Sequence, residues 1–242
     1  MTVLHLADET EAADLAAFLS RLLHYDRAAA VRLQAAGTAL AVFGRPASFE
    51  VLAVRAVRLS KPYENGLDVT LDVTVSAGEL LESVDEAAAT AAVPAAVTGP
   101  PWAGVLPPRG GWRPEPGLPP AGSLRALVTA AVAEFRSRTQ ELVPELRTRG
   151  ELDRIGREIW SRTVGQTRLP VRAVHAAQSL GFLRPAPAEG DCAAEGQGEG
   201  GAGTEGGLAI FSSGAWLRLR TPYGSIAVRQ ATGLGTLGVS VR

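Results

Sequence analysis

The sequence predicts an α+β fold, a helix-flanked antiparallel β-meander followed by a three-helix plus β-hairpin unit whose element order is winged-helix-like. Three observations predict it: helical apolar spacing over 10–24 and 123–180, period-two alternation over 28–75, and three short apolar stretches over 208–229. At 242 residues the chain is long enough to bury a core without disulfides or metals. Aromatic content of 5% means that Ala, Val and Leu must build that core.

In the first helix, predicted over 10–24, Leu15, Phe18, Leu19, Leu22 and Leu23 share one face. Thr10 is placed to cap it, and Glu11 and Asp14 suit its positive end. Strands are expected at Ala28–Ala36, Thr38–Phe43, Phe49–Leu59 and Leu67–Val75. In the last, Leu67, Val69, Leu71, Val73 and Val75 alternate with Asp68, Thr70, Asp72 and Thr74, the pattern of a sheet wet on one side. Ser76 and Glu79 form a capping-box sequence for a helix over Gly78–Ala89. This α+β sheet unit spans 1–95.

Residues 96–122 carry too many prolines for a regular element, yet they hold Trp102 and Trp112. Tryptophan is costly to leave in water, so an ordered connector packed across the sheet or onto the second unit is expected. The second unit, 123–242, opens with helices from Ser123 to Leu142, from Arg149 to Thr163, and from Pro170 to Gly181. The acidic, glycine-rich stretch 186–207 reads as a disordered loop. Strands at Leu208–Ser212, Trp216–Thr221 and Ser225–Arg229 follow, joined by Ser213-Gly214 and Pro222-Tyr223-Gly224 turns.

Residues 1–122 carry 9 basic and 14 acidic side chains, and residues 123–242 carry 15 and 11. Five of the latter acids fall in the glycine-rich loop, so the ordered parts of the second unit are expected to be basic. Lys61 is the only lysine, which makes arginine richness partly a codon habit. If the third helix and the hairpin work as a winged helix does, Arg168, Arg172, His175 and Gln178 face a nucleic-acid groove or an acidic protein surface, with Arg218, Arg220 and Arg229 on the wing. The bland account is a solvated arginine face.

His5, His24 and His175 show no metal-ligand spacing, and no metal or cofactor is expected. The glycine runs 198–207 and 233–238 lack the Lys-Ser/Thr ending of a phosphate loop. Cys192 excludes an internal disulfide, and neither a signal-like start nor a membrane-length apolar run occurs, so the cytoplasm is the expected compartment and no membrane partner is expected.

The leading expectation is a non-enzymatic regulatory or adaptor protein whose basic second unit contacts nucleic acid or an acidic partner, with another protein bound by the first unit. The alternative is a small-molecule enzyme or ligand-binding protein with its site, a ligand or peptide groove formed by Trp102, Arg109 and Trp112, at the junction.

Overall fold

A computed structural model of the chain describes residues 2–184 and 207–230. Cys192, the glycine run 233–238 and the expected loop over 186–207, Gly207 apart, lie outside the described residues. The architecture is mixed α+β with antiparallel sheets.

Strand β1 (Val3–His5) leads into helix α1 (Glu9–Tyr25). The cap is Asp8, whose carboxylate accepts from the Glu11 amide at 2.9 Å; Thr10, the expected cap, lies inside the first turn. Leu15, Phe18, Leu19 and Leu22 are at most 1% exposed. Burying each stabilises by roughly 1.5–3 kcal/mol, which fixes the helix on the sheet.

The meander follows as β2 (Ala30–Ala36), β3 (Ala39–Gly44), β4 (Leu52–Arg58) and β5 (Thr70–Ser76). The expected strand from Leu67 begins three residues later. Asn65 and Asp68 exchange backbone hydrogen bonds of 2.9 and 3.1 Å around Gly66, at φ +64°, so Leu67 sits on a turn and is fully exposed. Helix α2 (Ala77–Glu82) is capped by Ser76 as its sequence indicates, but it stops well short of Ala89. The Ser83 hydroxyl lies 2.8 Å from the carbonyl oxygens of both Leu80 and Ala92, between which its one proton is shared, and ties the helix end to a hairpin. That hairpin, β6 (Val84–Asp85) and β7 (Thr90–Ala92), pairs with β1 in a small sheet of order β1-β7-β6.

The proline-rich connector does contain one strand, β8 (Arg113–Glu115), on the sheet edge. Pro114 is tolerated there because an edge strand leaves one side without a ladder to satisfy. Helices α3 (Ala121–Glu141), α4 (Arg149–Trp160) and α5 (Val171–Ser179) match the three expected, and Gly181, at φ +77°, takes the left-handed turn that ends the last.

The strands β9 (Ala209–Ser213), β10 (Trp216–Thr221) and β11 (Gly224–Arg229) fall where expected but do not hang free as a wing. β11 pairs with β4, through Ser225 opposite Val54 and Ile226 opposite Ala53, and one sheet of order β5-β2-β3-β4-β11-β10-β9-β8 results. The strands have a ladder partner ready in β4, whose far edge would otherwise leave its backbone groups unpaired. One core continues from Leu4 to Val228 on the helical side of this sheet, where Phe18 stacks on Phe182 at 5.6 Å. Gly224 permits that approach, since a Cβ there would lie 2.6 Å from the Phe182 ring.

Arg55 is buried on the same side beside the β4–β11 seam, with its side chain 8% exposed. It donates to Glu11 at 2.9 Å, to Asp14 at 3.2 Å and to the Tyr223 carbonyl at 2.7 Å. Arg184 meets Asp14 at 2.6 Å and lies 3.7 Å over the Tyr223 ring. Removing one member of a buried ionic network strands the others without compensation. Arg55→Ala is therefore expected to cost roughly 3–5 kcal/mol in urea denaturation. Arg58→Ala, at a side chain 73% exposed that also pairs with Glu11, is expected to shift the transition far less.

Candidate functional site

Side chains opposite one another in the ladder share a face. Arg32, Phe43, Val54, Ser225 and Arg220 form one such row, on the side away from α1 and α5. A second apolar cluster of Phe43, Leu52, Val54 and Ala227 lies there, covered by Trp102 and Leu106. The connector is thus packed against the sheet, as its tryptophans require.

Arg32 holds the connector in place. Its Nε and Nη2 grip both oxygens of Asp72 at 2.7 and 2.9 Å, while Nη1 donates to the Ala103 carbonyl. Gln34 adds a bond of 3.0 Å to Asp72. The Arg32 hydrogen bonds hold the Asp72 carboxyl below the usual carboxylate range, against some desolvation. Further along, the Trp112 indole donates to the Pro108 carbonyl at 2.9 Å, and the Ser213 hydroxyl donates to the Gly110 carbonyl at 3.3 Å.

Between connector and sheet runs a groove of about 430 Å³. Phe43, Val54 and Ala227 floor it, and Leu106, Pro107 and Pro108 wall it. Arg32, Arg109 and Arg218 also line it, against Asp72 as the single carboxylate among the described lining residues. Its volume falls in the range of about 300–1,000 Å³ typical of small-molecule sites. Arg218 is half-buried on β10, where its Nε and Nη2 both donate to the Ser225 hydroxyl, at 3.0 and 2.8 Å, and its guanidinium lies 5.8 Å from the Trp112 ring. Burial, then the charge of Arg220, lowers its pKa. Among the described residues it forms no ion pair. Arg109 is exposed and reaches Asp72 through charge alone, since that carboxylate is already engaged.

The residues expected on one basic face are divided by the sheet. Arg172, His175 and Gln178 lie on α5, which packs between β11 and the outer helices, and none of the three is exposed. The Arg172 Nε and the Gln178 Oε1 are buried without a hydrogen-bond partner. His175 stacks on Trp160 at 4.6 Å and meets Phe49 edge-on at 5.0 Å. Arg168 is spent on Glu115 and Gln230 at the start of the same helix. Arg218, Arg220 and Arg229 share the opposite face; Arg220 and Arg229 are exposed there. A groove-reading helix must present a polar stripe to solvent, and α5 instead gives Val171, Val174 and Ala177 to the core. Of Trp102, Arg109 and Trp112, Arg109 lines the groove, Trp102 packs on the apolar cluster of Phe43, Leu52, Val54 and Ala227, and Trp112 lies 5.8 Å from the Arg218 guanidinium.

Sequence reasoning missed Arg32, Gln34 and Asp72. Alternation marked Asp72 as a wet-face residue of its strand, Arg32 and Gln34 were not singled out, and the pairing register that joins the three is long-range. Among the described residues no three His, Cys, Asp or Glu side chains are grouped to hold a metal ion, and no helix is long and apolar enough to cross a membrane.

Fold and groove together describe an α+β protein with a groove of about 430 Å³ lined from two sequence segments. The chain belongs to the family described as domain of unknown function DUF8185, which matches residues 107–233; residues 1–104 match a second family, domain of unknown function DUF8010. No curated protein and no solved structure matches the chain. The break between the two families falls within the groove wall, so Arg32 and Asp72 come from one match and Arg109 and Arg218 from the other.

Burial lowers the His175 pKa, which gives stability a pH dependence. Below about pH 6.5 the unfolded chain binds a proton at this position that the folded chain resists. Stability from this group is full above that pH and is lost as pH falls toward the depressed folded value. The thermal midpoint is expected to drop between about pH 7 and 5.5, and His175→Phe to flatten that slope, as read by circular dichroism.

Proposed function

We propose that the protein binds a small organic anion in the groove between its proline- and tryptophan-rich connector and the sheet. The observation that carries this reading is Arg218. A half-buried guanidinium has lost much of its hydration, and its hydrogen-bond partner is one hydroxyl, not a carboxylate. Such a charge is costly to keep unless an anion compensates it. The tryptophan ring beside it and the apolar floor supply the desolvated surface on which an acid group binds more strongly than in water.

A second reading, the regulatory or adaptor protein, draws support from Arg218, Arg220 and Arg229 on one sheet face. On this reading they contact nucleic acid or an acidic partner surface.

A thermal-shift panel of carboxylates, phosphates and matched neutral amides separates the two, with duplex DNA at low salt beside it. Anions at about a hundred times Kd are expected to stabilise the folded chain by roughly 2.7 kcal/mol, and Arg218→Ala to lose that gain. Stabilisation by amides as well as acids, or an unchanged response in the variant, sinks the reading. DNA binding that weakens steeply with salt and requires Arg220 and Arg229 favours the adaptor instead.

A further inference from the structure

The charges of the groove sit at its two ends, and this says more about the ligand than that it is an anion. At one end Arg32 and Gln34 stand on β2 beside Asp72 of β5; at the other Arg218 stands on β10. Four strand steps separate β2 from β10 in the sheet order, roughly 19 Å between backbones at about 4.8 Å per step. The floor between them is apolar, made by Phe43 on β3, Val54 on β4 and Ala227 on β11.

Among the described lining residues, each end is left with one positive charge that no carboxylate pairs. Both Asp72 oxygens are occupied by Arg32, and the second also accepts from Gln34. That pair cancels itself, and Arg109, which lines the same end, is left without a hydrogen bond or ion pair among the described residues. At the far end Arg218 likewise has no ion pair among the described residues; its hydrogen bonds go to the Ser225 hydroxyl, which carries no charge. A compact anion such as phosphate can satisfy one of these cations and leaves the other, together with the apolar floor, uncovered. A monoacid with a long tail covers the floor but not the second cation.

Resting on the anion-binding reading above, we propose that the ligand is an elongated dianion with an apolar middle, of the α,ω-dicarboxylate kind. One acid group pairs with Arg218, the hydrocarbon body lies on Phe43, Val54 and Ala227, and the second acid group pairs with Arg109. Arg32 and Asp72 act as positioning residues, holding the connector so that the wall stands at the right distance from the floor.

Isothermal titration of the full chain tests this with adipate, suberate and sebacate, each beside the monoacid of equal chain length, and with inorganic phosphate. The best-fitting diacid is expected to bind about ten-fold more tightly than its monoacid, the value of one added charge-assisted contact. Affinity along the diacid series is expected to pass through a maximum. Arg109→Ala, a change at an exposed loop position, is expected to abolish the preference for diacid over monoacid. Equal affinity for diacid and monoacid, or a preference that survives Arg109→Ala, overturns the dianion inference and leaves the anion-binding reading standing. Binding of phosphate alone does the same. Failure of every anion to bind overturns both.

Discussion

The fold depends on a seam. β4 and β11, more than 160 residues apart in the chain, pair for only three residues, and that ladder makes one eight-stranded sheet from two segments. Beside it Arg55 links α1 of the first segment to the Tyr223 carbonyl of the second through a guanidinium that is almost dry. Ladder bonds are general, but a buried guanidinium has a narrow geometry in which its partners are satisfied, so it sets how the segments meet. The aromatic run from Tyr25 through Phe49 and His175 to Trp160 crosses the same join. Packing rather than polarity holds that second crossing.

Joining the sheet creates its other face. With β11 and β10 added to the meander, the wet side of β2–β5 continues into the side of β10 that carries Arg218. The connector cannot form regular structure over most of its length because of its prolines, yet it has two tryptophans and Leu106 to bury, and it settles across this face. The Arg32–Asp72 pair takes hold of it at Ala103. The groove is therefore a consequence of the seam: the first segment supplies Arg32, Phe43, Val54 and Asp72 to its lining, and the second Arg109, Arg218 and Ala227. The two family matches adjoin within the wall of that groove.

Much of this was legible in the sequence, and the limits have physical reasons. Helices α1 and α3–α5 carry a 3.6-residue apolar period, and the β2–β5 and β9–β11 strands a period of two; both are local signals. Helix α2 reads too long from sequence because the alanines at 87–89, 91 and 92 favour a helix, and only the pairing of β7 with β1 overrides them. The winged-helix expectation followed element order, which says nothing of where a strand finds its partner. Arg55 left a signal that could have been used. Period-two alternation puts it on the same side as Ala53 and Val57, and an arginine on a buried strand face requires acids across from it, which Glu11 and Asp14 supply. Trp102, Arg109 and Trp112 were visible as an unusual local sequence. Their partners Arg32, Asp72 and Arg218 needed the register of the sheet.

Native-state hydrogen exchange on the full chain tests the central claim most directly, residue by residue across the seam. If the two segments share one sheet and one core, the amides in the β4–β11 ladder, among them those of Val54 and Ala227, exchange only through a common opening and with the same free energy. If β9–β11 exchange as an independent unit while β2–β4 stay protected, the strands belong to a separate body, and the groove across them does not exist as a built site.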